Sequence, residues 1–327
     1  MKRRIVPFLL SLCLLAVPSC AEDAVTEQNE TELQEDDMTQ QEFFEILPAI
    51  AKTAVTVDHA KPEGEIALGQ SKIGGKPHLP ADFEWPTYYG MGILDDGKAT
   101  RPLSFMAQIN LADVKSYDAE NVLPESGMLY FFYDMETMRW GYDPEDEGCC
   151  RVYWIADGTA LTERELPAEL DEMQRIPERA ITFGTKASYP MFDEVNERYT
   201  VAWESDRPWQ AYMDELERLG ASETDSLGMN SQLLGYPETV QGSMLRECEL
   251  ASNGVYTGNG FPEMTDAEAA DLRARSQDWV LLYQFGSILD GVDEVMFGDL
   301  GSIYFCIRRQ DLAARAFDKV WLILQCG

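Results

Sequence analysis

Segments with the spacing of β-strands constrain the fold of this chain more than any other feature. Residues 103–111 alternate apolar and polar side chains with the period of two that a strand requires. Residues 128–133 are apolar at every position and follow Ser126 and Gly127, which predicts a central strand covered on both faces. Four further segments have strand character: 152–156, 280–285, 302–307 and 320–326. The sequence therefore predicts a fold built mainly on sheets.

Helical patterns are fewer and shorter. Residues 40–52 place apolar side chains at helical spacing behind a Thr39 cap, and this helix is expected to be interrupted near Pro48. Residues 209–219 predict a second helix, and residues 266–276 predict a third that starts from a Thr265 cap. The predicted fold class is α+β, with predominantly antiparallel sheets and a few helices.

The first twenty residues have the order of a bacterial lipoprotein signal. Three basic residues precede an apolar run at 5–17, which is too short to span a bilayer comfortably, and a small residue then precedes Cys20. We predict a signal peptide at 1–19 and a lipid on Cys20 that attaches the protein to a membrane in the cell envelope, outside the cytoplasm. A plain secreted protein cut nearby is one alternative, and a permanent transmembrane helix is a weaker one.

Composition divides the rest of the chain in two. Residues 20–40 carry many acids and almost no large apolar side chains, which predicts a disordered tether. The remainder, 41–327, has the length and apolar content of a single folded domain.

The order of motifs suggests that this domain contains two copies of one module. A Gly-x-Pro turn occurs at Gly75 and again at Gly235, and each is followed by a strand with one glutamine, Gln108 and Gln284. A Gly-initiated apolar strand with a central tyrosine comes next in both halves. A chance alignment of short apolar strands is the alternative. The two predicted pseudo-repeats cover about 66–160 and 228–327.

Charge and cysteine content limit the partners. With 58 acidic and 26 basic residues the formal net charge is −32, which repels phosphate backbones, so nucleic-acid binding is not expected. Cys306 and Cys326 lie in apolar runs and are predicted to be buried. Cys149, Cys150 and Cys248 have polar, loop-like neighbours and could supply one disulfide outside the cytoplasm, with a connectivity that the sequence leaves open.

Several segments together resemble a known family. They occur in family order at 71–77, 102–109, 123–132, 233–237 and 301–305. On these residues the chain resembles the YwqG-like family, a bacterial domain of unknown function (number 1963). The resemblance implies a mixed α+β domain with a pseudo-two-fold duplication. It carries no set of catalytic residues.

Catalytic and metal-binding motifs are sparse. The two histidines, His59 and His78, lack the spacing of a zinc site, and neither common phosphate-binding loop is present, so no metal or cofactor is expected. We interpret His59 as a solvated surface residue. An exported hydrolase that uses carboxylates, with His78 as a helper, is one alternative function. Acidic loops at 95–97 and 143–147 leave a second alternative, a scaffold that depends on divalent cations, although solvated loops are the simpler interpretation.

The leading hypothesis is a non-enzymatic binding module for a peptide, a saccharide or a protein. Glycines permit close approach of a ligand, prolines stiffen the turns, and glutamine amides beside aromatic rings offer neutral hydrogen bonds and stacking. The alternative is that the same residues only build turns and sheet packing. The candidate ligand-binding residues are Gly74, Gly75, Pro77, His78, Trp85, Gln108, Gly235, Tyr236, Pro237 and Gln284.

Overall fold

Strands make up most of the regular structure of the computed structural model, which describes residues 38–92, 97–221, 228–291 and 294–327. The strands are β1 (Met38–Thr39), β2 (Lys52–Ala60), β3 (Lys72–Ile73), β4 (His78–Leu79), β5 (Thr87–Met91), β6 (Lys98–Pro102), β7 (Ser104–Asn110), β8 (Met128–Tyr133), β9 (Cys150–Ile155), β10 (Thr162–Glu163), β11 (Arg179–Ser188), β12 (Val201–Ala202), β13 (Gln232–Leu233), β14 (Trp279–Gly286), β15 (Ile288–Leu289), β16 (Glu294–Val295), β17 (Ser302–Arg308) and β18 (Trp321–Gln325).

The helices of the described part are α1 (Gln40–Ile50), α2 (Leu111–Val114), α3 (Phe192–Arg198), α4 (Pro208–Arg218), α5 (Leu245–Ala251), α6 (Asp266–Ser276) and α7 (Arg309–Ala313). Three short 3₁₀ helices lie at Pro144–Asp146, Glu172–Gln174 and Phe317–Lys319.

Ten strands form one antiparallel sheet in the order β18-β17-β14-β13-β2-β11-β3-β7-β8-β9. The predicted α+β class with mostly antiparallel sheets is thereby confirmed. Two long strands, β2 and β11, occupy the centre, and a block of four strands flanks each of them. Along the chain, β2 precedes the block β3-β7-β8-β9, but in the sheet it pairs with β13 of the other block. β11 precedes that other block along the chain, but in the sheet it pairs with β3 of the first block.

The sheet is strongly curved and nearly closed. Strands β8 and β14 are six places apart in the strand order, which would separate them by about 29 Å in a flat sheet. The ring centroids of Phe131 on β8 and Tyr283 on β14 are nevertheless 4.7 Å apart, and Phe305 on β17 is 5.1 Å from Phe131. Aromatic side chains from both halves therefore fill the space that the sheet encloses, and this is the main hydrophobic core.

The predicted strands are present with small shifts at their ends. The segment 128–133 forms β8, and all six residues are buried, as predicted for a strand covered on both faces. The segment 103–111 forms the shorter β7, where a bulge at Met106 breaks the strict alternation. Its expected polar face is buried as well, since Ser104 and Gln108 are at most 1% exposed.

The first helix differs in one respect from the prediction. Thr39 caps α1, and its hydroxyl accepts a hydrogen bond from the Glu42 N–H while the Glu42 carboxylate accepts one from the Thr39 N–H. The helix is not interrupted at Pro48 but continues to Ile50. A proline only two residues from the end removes one hydrogen bond of the last turn, which is why the helix tolerates it. The predicted third helix matches α6 residue for residue, including its Thr265 cap.

Five cysteines lie in the described residues, and all are buried free thiols. Burial of Cys306 and Cys326 is as predicted. The polar, loop-like surroundings predicted for Cys150 and Cys248 are wrong, because Cys150 begins β9, Cys248 lies in α5, and both pack into hydrophobic clusters. Cys149 does lie in a loop, but it is 2% exposed and packs into the main hydrophobic core.

The acidic segment 143–147 is a structured corner, in contrast to the solvated loop of the simpler interpretation. It forms a 3₁₀ helix capped by Asp143, and Asp146 is only 6% exposed. The Asp146 carboxylate accepts a hydrogen bond from the Gly141 N–H at 2.9 Å and lies 3.8 Å from the Arg139 guanidinium. The other acidic loop, at 95–97, lies largely outside the described residues.

The folded part forms one compact unit that starts at Asp37, and α1 begins one residue before the predicted domain boundary. The predicted signal peptide, the lipidated Cys20 and nearly all of the tether lie outside the described residues. Within the described ranges, no helix is both long and apolar enough to cross a membrane.

Candidate functional site

Both polar groups of the Gln108 side chain form hydrogen bonds within the first half of the chain. Its side chain is completely buried in β7. The amide oxygen accepts a hydrogen bond from the His78 N–H at 2.8 Å, and the amide nitrogen donates to the Gln70 carbonyl at 2.7 Å. The hydroxyl of Tyr130 on the neighbouring strand donates to the His78 carbonyl. Gln108 thus fastens both ends of the segment 70–78 to the sheet.

Gln284 makes the same set of contacts in the second half. Its amide oxygen accepts from the Glu238 N–H at 2.9 Å, and its amide nitrogen donates to the Asn230 carbonyl at 3.1 Å. The Tyr304 hydroxyl donates to the Glu238 carbonyl at 2.7 Å. The segment from 230 to 238 has the same length as the segment from 70 to 78, so the two glutamines hold equivalent loops.

Close packing within the protein explains the candidate glycines. Gly74 has φ +56°, and a Cβ there would lie 2.3 Å from the Ile176 carbonyl oxygen. Gly235 has φ +72°, and a Cβ there would lie 2.7 Å from the Ala54 Cβ. Both glycines are therefore required by a left-handed backbone and by the close approach of a neighbouring segment, which is the stretch before β11 for Gly74 and strand β2 for Gly235.

The remaining candidates are also engaged by the fold. His78 is 2% exposed, and its Nδ1 accepts from the Gly69 N–H at 3.1 Å. The indole N–H of Trp85 donates to the Leu103 carbonyl at 2.8 Å. Pro77 and Pro237 are buried. The Gly75 N–H donates a hydrogen bond to the Ile176 carbonyl at 2.9 Å.

An open cavity of about 870 Å³ lies where the two halves of the chain meet, and Gly235 alone of the ten candidates lines it. Its walls come from the start of β2, the segment after β13, β14, the region of α7, and the loop before β8. The lining residues are Lys52, Lys115, Glu120, Asn121, Val122, Leu123, Pro124, Glu125, Leu234, Gly235, Val280, Leu281, Arg309, Leu312, Ala313 and Arg315.

The charge of this lining is opposite to that of the whole protein. Four basic and two acidic residues line the cavity, whereas the chain has 26 basic and 58 acidic residues. One of the two acids, Glu125, lies 3.6 Å from Lys115 and offsets its charge. Within the described ranges, the other cations, Lys52, Arg309 and Arg315, have no carboxylate at ion-pairing distance.

Aromatic rings hold two of these cations in place. The Lys52 amine lies 4.1 Å from the centroid of the Tyr236 ring, and the Arg315 guanidinium lies 4.9 Å from the Trp154 ring. Tyr236 is fixed in turn by its hydroxyl, which donates to the Ile50 carbonyl at 3.0 Å. Thus Tyr236, a predicted ligand-binding residue, lies directly behind a cation of the cavity.

The pKa of Lys52 is lowered to about 8, mainly by burial, and the positive charges of Arg198 and Arg309 contribute to this lowering. The carboxylates of Glu194 and Glu120 act in the opposite direction. Arg198 is itself paired with the buried Glu194, with a nitrogen-to-oxygen distance of 2.6 Å. A substantial fraction of Lys52 is consequently neutral at mildly alkaline pH, which is unusual for a lysine.

A second, smaller cavity of about 360 Å³ contains His59, which lines it with Asp58, Lys186 and Asn230 among others. His59 is half-buried on β2. Burial lowers the pKa of its imidazole, and Arg179 lowers it further. His59 is thus a partly buried residue of a central strand, and its remaining exposed surface lines this cavity.

Sequence reasoning missed the cations of the larger cavity. Lys52 and Arg315 are more than 250 residues apart in the sequence. Only the strand order of the folded sheet brings them, and Arg309, to the same cavity. The available signal was the rarity of basic residues, because three of them occur close together at 308–315 in an otherwise acidic chain.

Comparison with protein families identifies this fold with a catalogued group. Residues 71–326 match the family described as a domain of unknown function, DUF1963, and the chain belongs to that family. Lys52 lies before the matched range. A comparison with curated proteins found no match. Among the described residues, no group of three or more histidine, cysteine, aspartate or glutamate side chains could hold a metal ion.

Proposed function

We propose that this chain is a membrane-tethered binding module of the cell envelope, attached through a lipid on Cys20, and that its larger cavity binds an anionic organic ligand. The observation that supports the ligand class most directly is that Lys52, Arg309 and Arg315 line one cavity of an acidic protein and have no paired carboxylate among the described residues. We also place the chain in the YwqG-like branch of its family on the sequence motifs described above.

Uncompensated cations are costly unless solvent or a ligand balances them. Like charges that share a partly desolvated cavity repel one another, and this repulsion is relieved when an anion binds. Carboxylates and phosphates accept several charge-assisted hydrogen bonds from guanidinium and ammonium groups. Arg309 and Lys52 both line the cavity and provide such donors, and Arg309 is near enough to act on the charge of Lys52.

The walls of the cavity define the rest of the ligand. Val280, Leu281, Leu312 and Leu234 contribute apolar surface between the charged groups. A volume of about 870 Å³ is within the usual range for small-molecule sites. The site therefore suits an amphipathic anion, and a peptide with a free carboxylate belongs to this class.

Matching hydrogen bonds also support the proposal that the domain arose by duplication. Ile73 pairs with Arg179 in one half, and Leu233 pairs with Val55 in the other. If the two loops held by glutamines correspond, then Val55 corresponds to Arg179. The pseudo-two-fold axis then passes through the paired residues Asp58 and Thr182 of β2 and β11.

This correspondence separates the cavity from the shared architecture. Lys52 lies three residues before Val55, and Ile176 lies three residues before Arg179. Ile176, which is 3% exposed, is therefore the counterpart of Lys52. Tyr304 and Tyr130 make matching hydrogen bonds to the two loops. Arg309 lies five residues after Tyr304, and its counterpart five residues after Tyr130 is Met135, which is 6% exposed. The equivalent place in the first half thus holds buried apolar side chains, so the cations are an addition beyond what the fold needs.

The alternative of a carboxylate hydrolase helped by His78 gains no support from this geometry. The His78 imidazole is buried at the start of β4 and hydrogen-bonded to Gly69 and Gln108. The sequence-based alternative of a divalent-cation scaffold likewise has no specific observation in its favour.

Calorimetric titration with matched ligands tests the anion site. We expect octanoate and octyl phosphate to bind the chain, and the neutral octanamide to bind at least tenfold more weakly. Arg309→Gln should weaken binding of both anions about tenfold or more, because a charge-assisted contact contributes roughly 1.5–3 kcal/mol. Arg273→Gln, which removes an exposed arginine of α6, is the matched control. Equal binding of octanoate and octanamide, or no binding of either anion, would refute the proposed ligand class.

Metabolic labelling with a palmitate analogue tests the tether. The wild-type chain in a bacterial host should incorporate the label and sediment with membranes, and Cys20→Ala should do neither. A Cys20→Ala chain that still sediments with membranes after high-salt washing would contradict attachment through this residue.

A further inference from the structure

Lys52 has a distinctive position in the cavity. It is the first residue of β2, paired in the sheet with the uncharged Ser188 of β11. The face of the Tyr236 ring lies 4.1 Å from its amine. Lys52 is half-buried and lines the cavity.

The charged groups around Lys52 come from three elements. Helix α3 contributes Arg198 and Glu194, which are paired with each other at 2.6 Å. The start of α7 contributes Arg309, and the loop before β8 contributes Glu120, and both line the same cavity. Glu194 therefore offsets part of the effect of Arg198 on Lys52, and Arg309 and Glu120 are the neighbouring charged groups that line the cavity itself.

Glu120 cannot balance both cations. It is an exposed side chain at the rim and forms no ion pair with Lys52 or Arg309 within the described part of the chain. Among the residues that the structure describes, the Arg309 guanidinium donates one hydrogen bond, to the Gln277 carbonyl at 3.3 Å. An anion between Lys52 and Arg309 would therefore meet two donors with unused capacity.

This inference rests on the proposed function and extends it to how binding responds to pH. We propose that Lys52 couples anion binding in the cavity to protonation, so that a bound anion is accompanied by one proton whenever the amine is neutral beforehand. The proton comes from solvent and adds to the amine nitrogen, which gives an ammonium–carboxylate or ammonium–phosphate pair. No covalent bond to the ligand forms or breaks.

The physical reason is reciprocal linkage between the ligand and the proton. An anion beside the amine favours its charged form and so raises the pKa of Lys52 from about 8. By the same linkage, protonation of Lys52 must increase the affinity for the anion. Arg309 cannot play this part, because a guanidinium stays protonated throughout the accessible pH range.

The experiment measures octanoate binding by calorimetry between pH 7 and pH 9.5, where the carboxylate of the probe stays ionised. For the wild-type chain, the Kd should rise up to about tenfold per pH unit above pH 8, as one linked proton requires. Lys52→Arg should bind with a Kd that changes less than about twofold over this range, since its charge does not titrate. Lys61→Arg, at an exposed lysine outside the cavity, should retain the wild-type pH dependence.

Buffers of different ionisation enthalpy provide a measurement that needs no variant. At pH 8.5, binding of octanoate to the wild-type chain should take up between about one half and one proton, because most of the amine is then neutral. Arg309→Gln should bind more weakly but still take up protons, which separates the two cations.

The outcomes distinguish this inference from the proposed function. Octanoate binding whose Kd is independent of pH, with no proton uptake at pH 8.5, would overturn the role of Lys52 and leave the anion site intact. The same holds if Lys52→Arg keeps the full pH dependence. Failure of octanoate and octyl phosphate to bind the wild-type chain at pH 7 would overturn the proposed function itself, and the inference with it.

Discussion

The buried amide of Gln108 offers a sharp test of how the fold is held together. In Gln108→Met a side chain of similar length replaces the amide without a donor or acceptor. The His78 N–H, buried with the rest of that residue, loses its acceptor, at a cost of about 1–3 kcal/mol. The Gln70 carbonyl, at a more exposed position, loses a hydrogen bond of about 0.5–1.5 kcal/mol. We therefore expect the free energy of unfolding to fall by about 2–4 kcal/mol.

Urea unfolding followed by tryptophan fluorescence measures this loss, and the chain provides its own comparisons. Gln284→Met should lose a similar amount, because Gln284 fastens the equivalent loop with the same two contacts. Gln241→Met, at an exposed position, should change the free energy by less than about 0.5 kcal/mol. A loss below about 0.5 kcal/mol for Gln108→Met would show that the loop is held by other contacts and would refute the reasoning.

Three further predictions concern charges and caps. Burial raises the pKa of Glu247 to about 7, above its usual 4.5, so ionisation of this carboxyl destabilises the fold as the pH rises from 4.5 to 7. Glu247→Gln should therefore increase the free energy of unfolding by about 1–2 kcal/mol at pH 8 and by nearly nothing at pH 4.5. Urea unfolding at both pH values measures this difference. Glu178→Gln leaves Lys72, 1% exposed, without its carboxylate at 2.6 Å and should cost about 3 kcal/mol, whereas Lys72→Met should cost clearly less in the same assay. Thr265→Ala removes the capping box of α6 and should cost about 1 kcal/mol in thermal unfolding, and an unchanged melting temperature would contradict it.

The sequence predicted those strands whose apolar residues follow one another or alternate with polar ones along the chain. The apolar segment 128–133 predicted β8 because each of its residues is covered from one side or the other. The two central strands escaped prediction for the opposite reason. β11 contains Gly184 and Lys186 and alternates weakly, and its stability comes from pairing with β2 along nine residues. Such partners are distant in the chain, and no local pattern reports them.

For the candidate residues, the sequence drew attention to Gln108 and Gln284 but could not say what they do. Gln108 and Gln284 do occupy matching places, yet their amides are directed to their own loops. A local sequence does not reveal whether a glutamine faces a cavity or a backbone. Lys52, in contrast, stands in a segment without any motif, and its role depends on Arg309 some 250 residues later.

The contrast between the cavity and the rest of the surface has a consequence for which anions can enter. A net charge of −32 repels anions at long range, but ions at physiological strength screen this repulsion beyond about 8 Å. Within the cavity, Lys52 and Arg309 act on a ligand at contact distance, where screening is weak. A small anion can therefore approach and bind, whereas a long polyanion such as a nucleic acid must keep many of its charges against the acidic surface. Moderate salt should consequently speed the association of octanoate by screening the repulsion, and only higher salt should weaken its contact with the two cations.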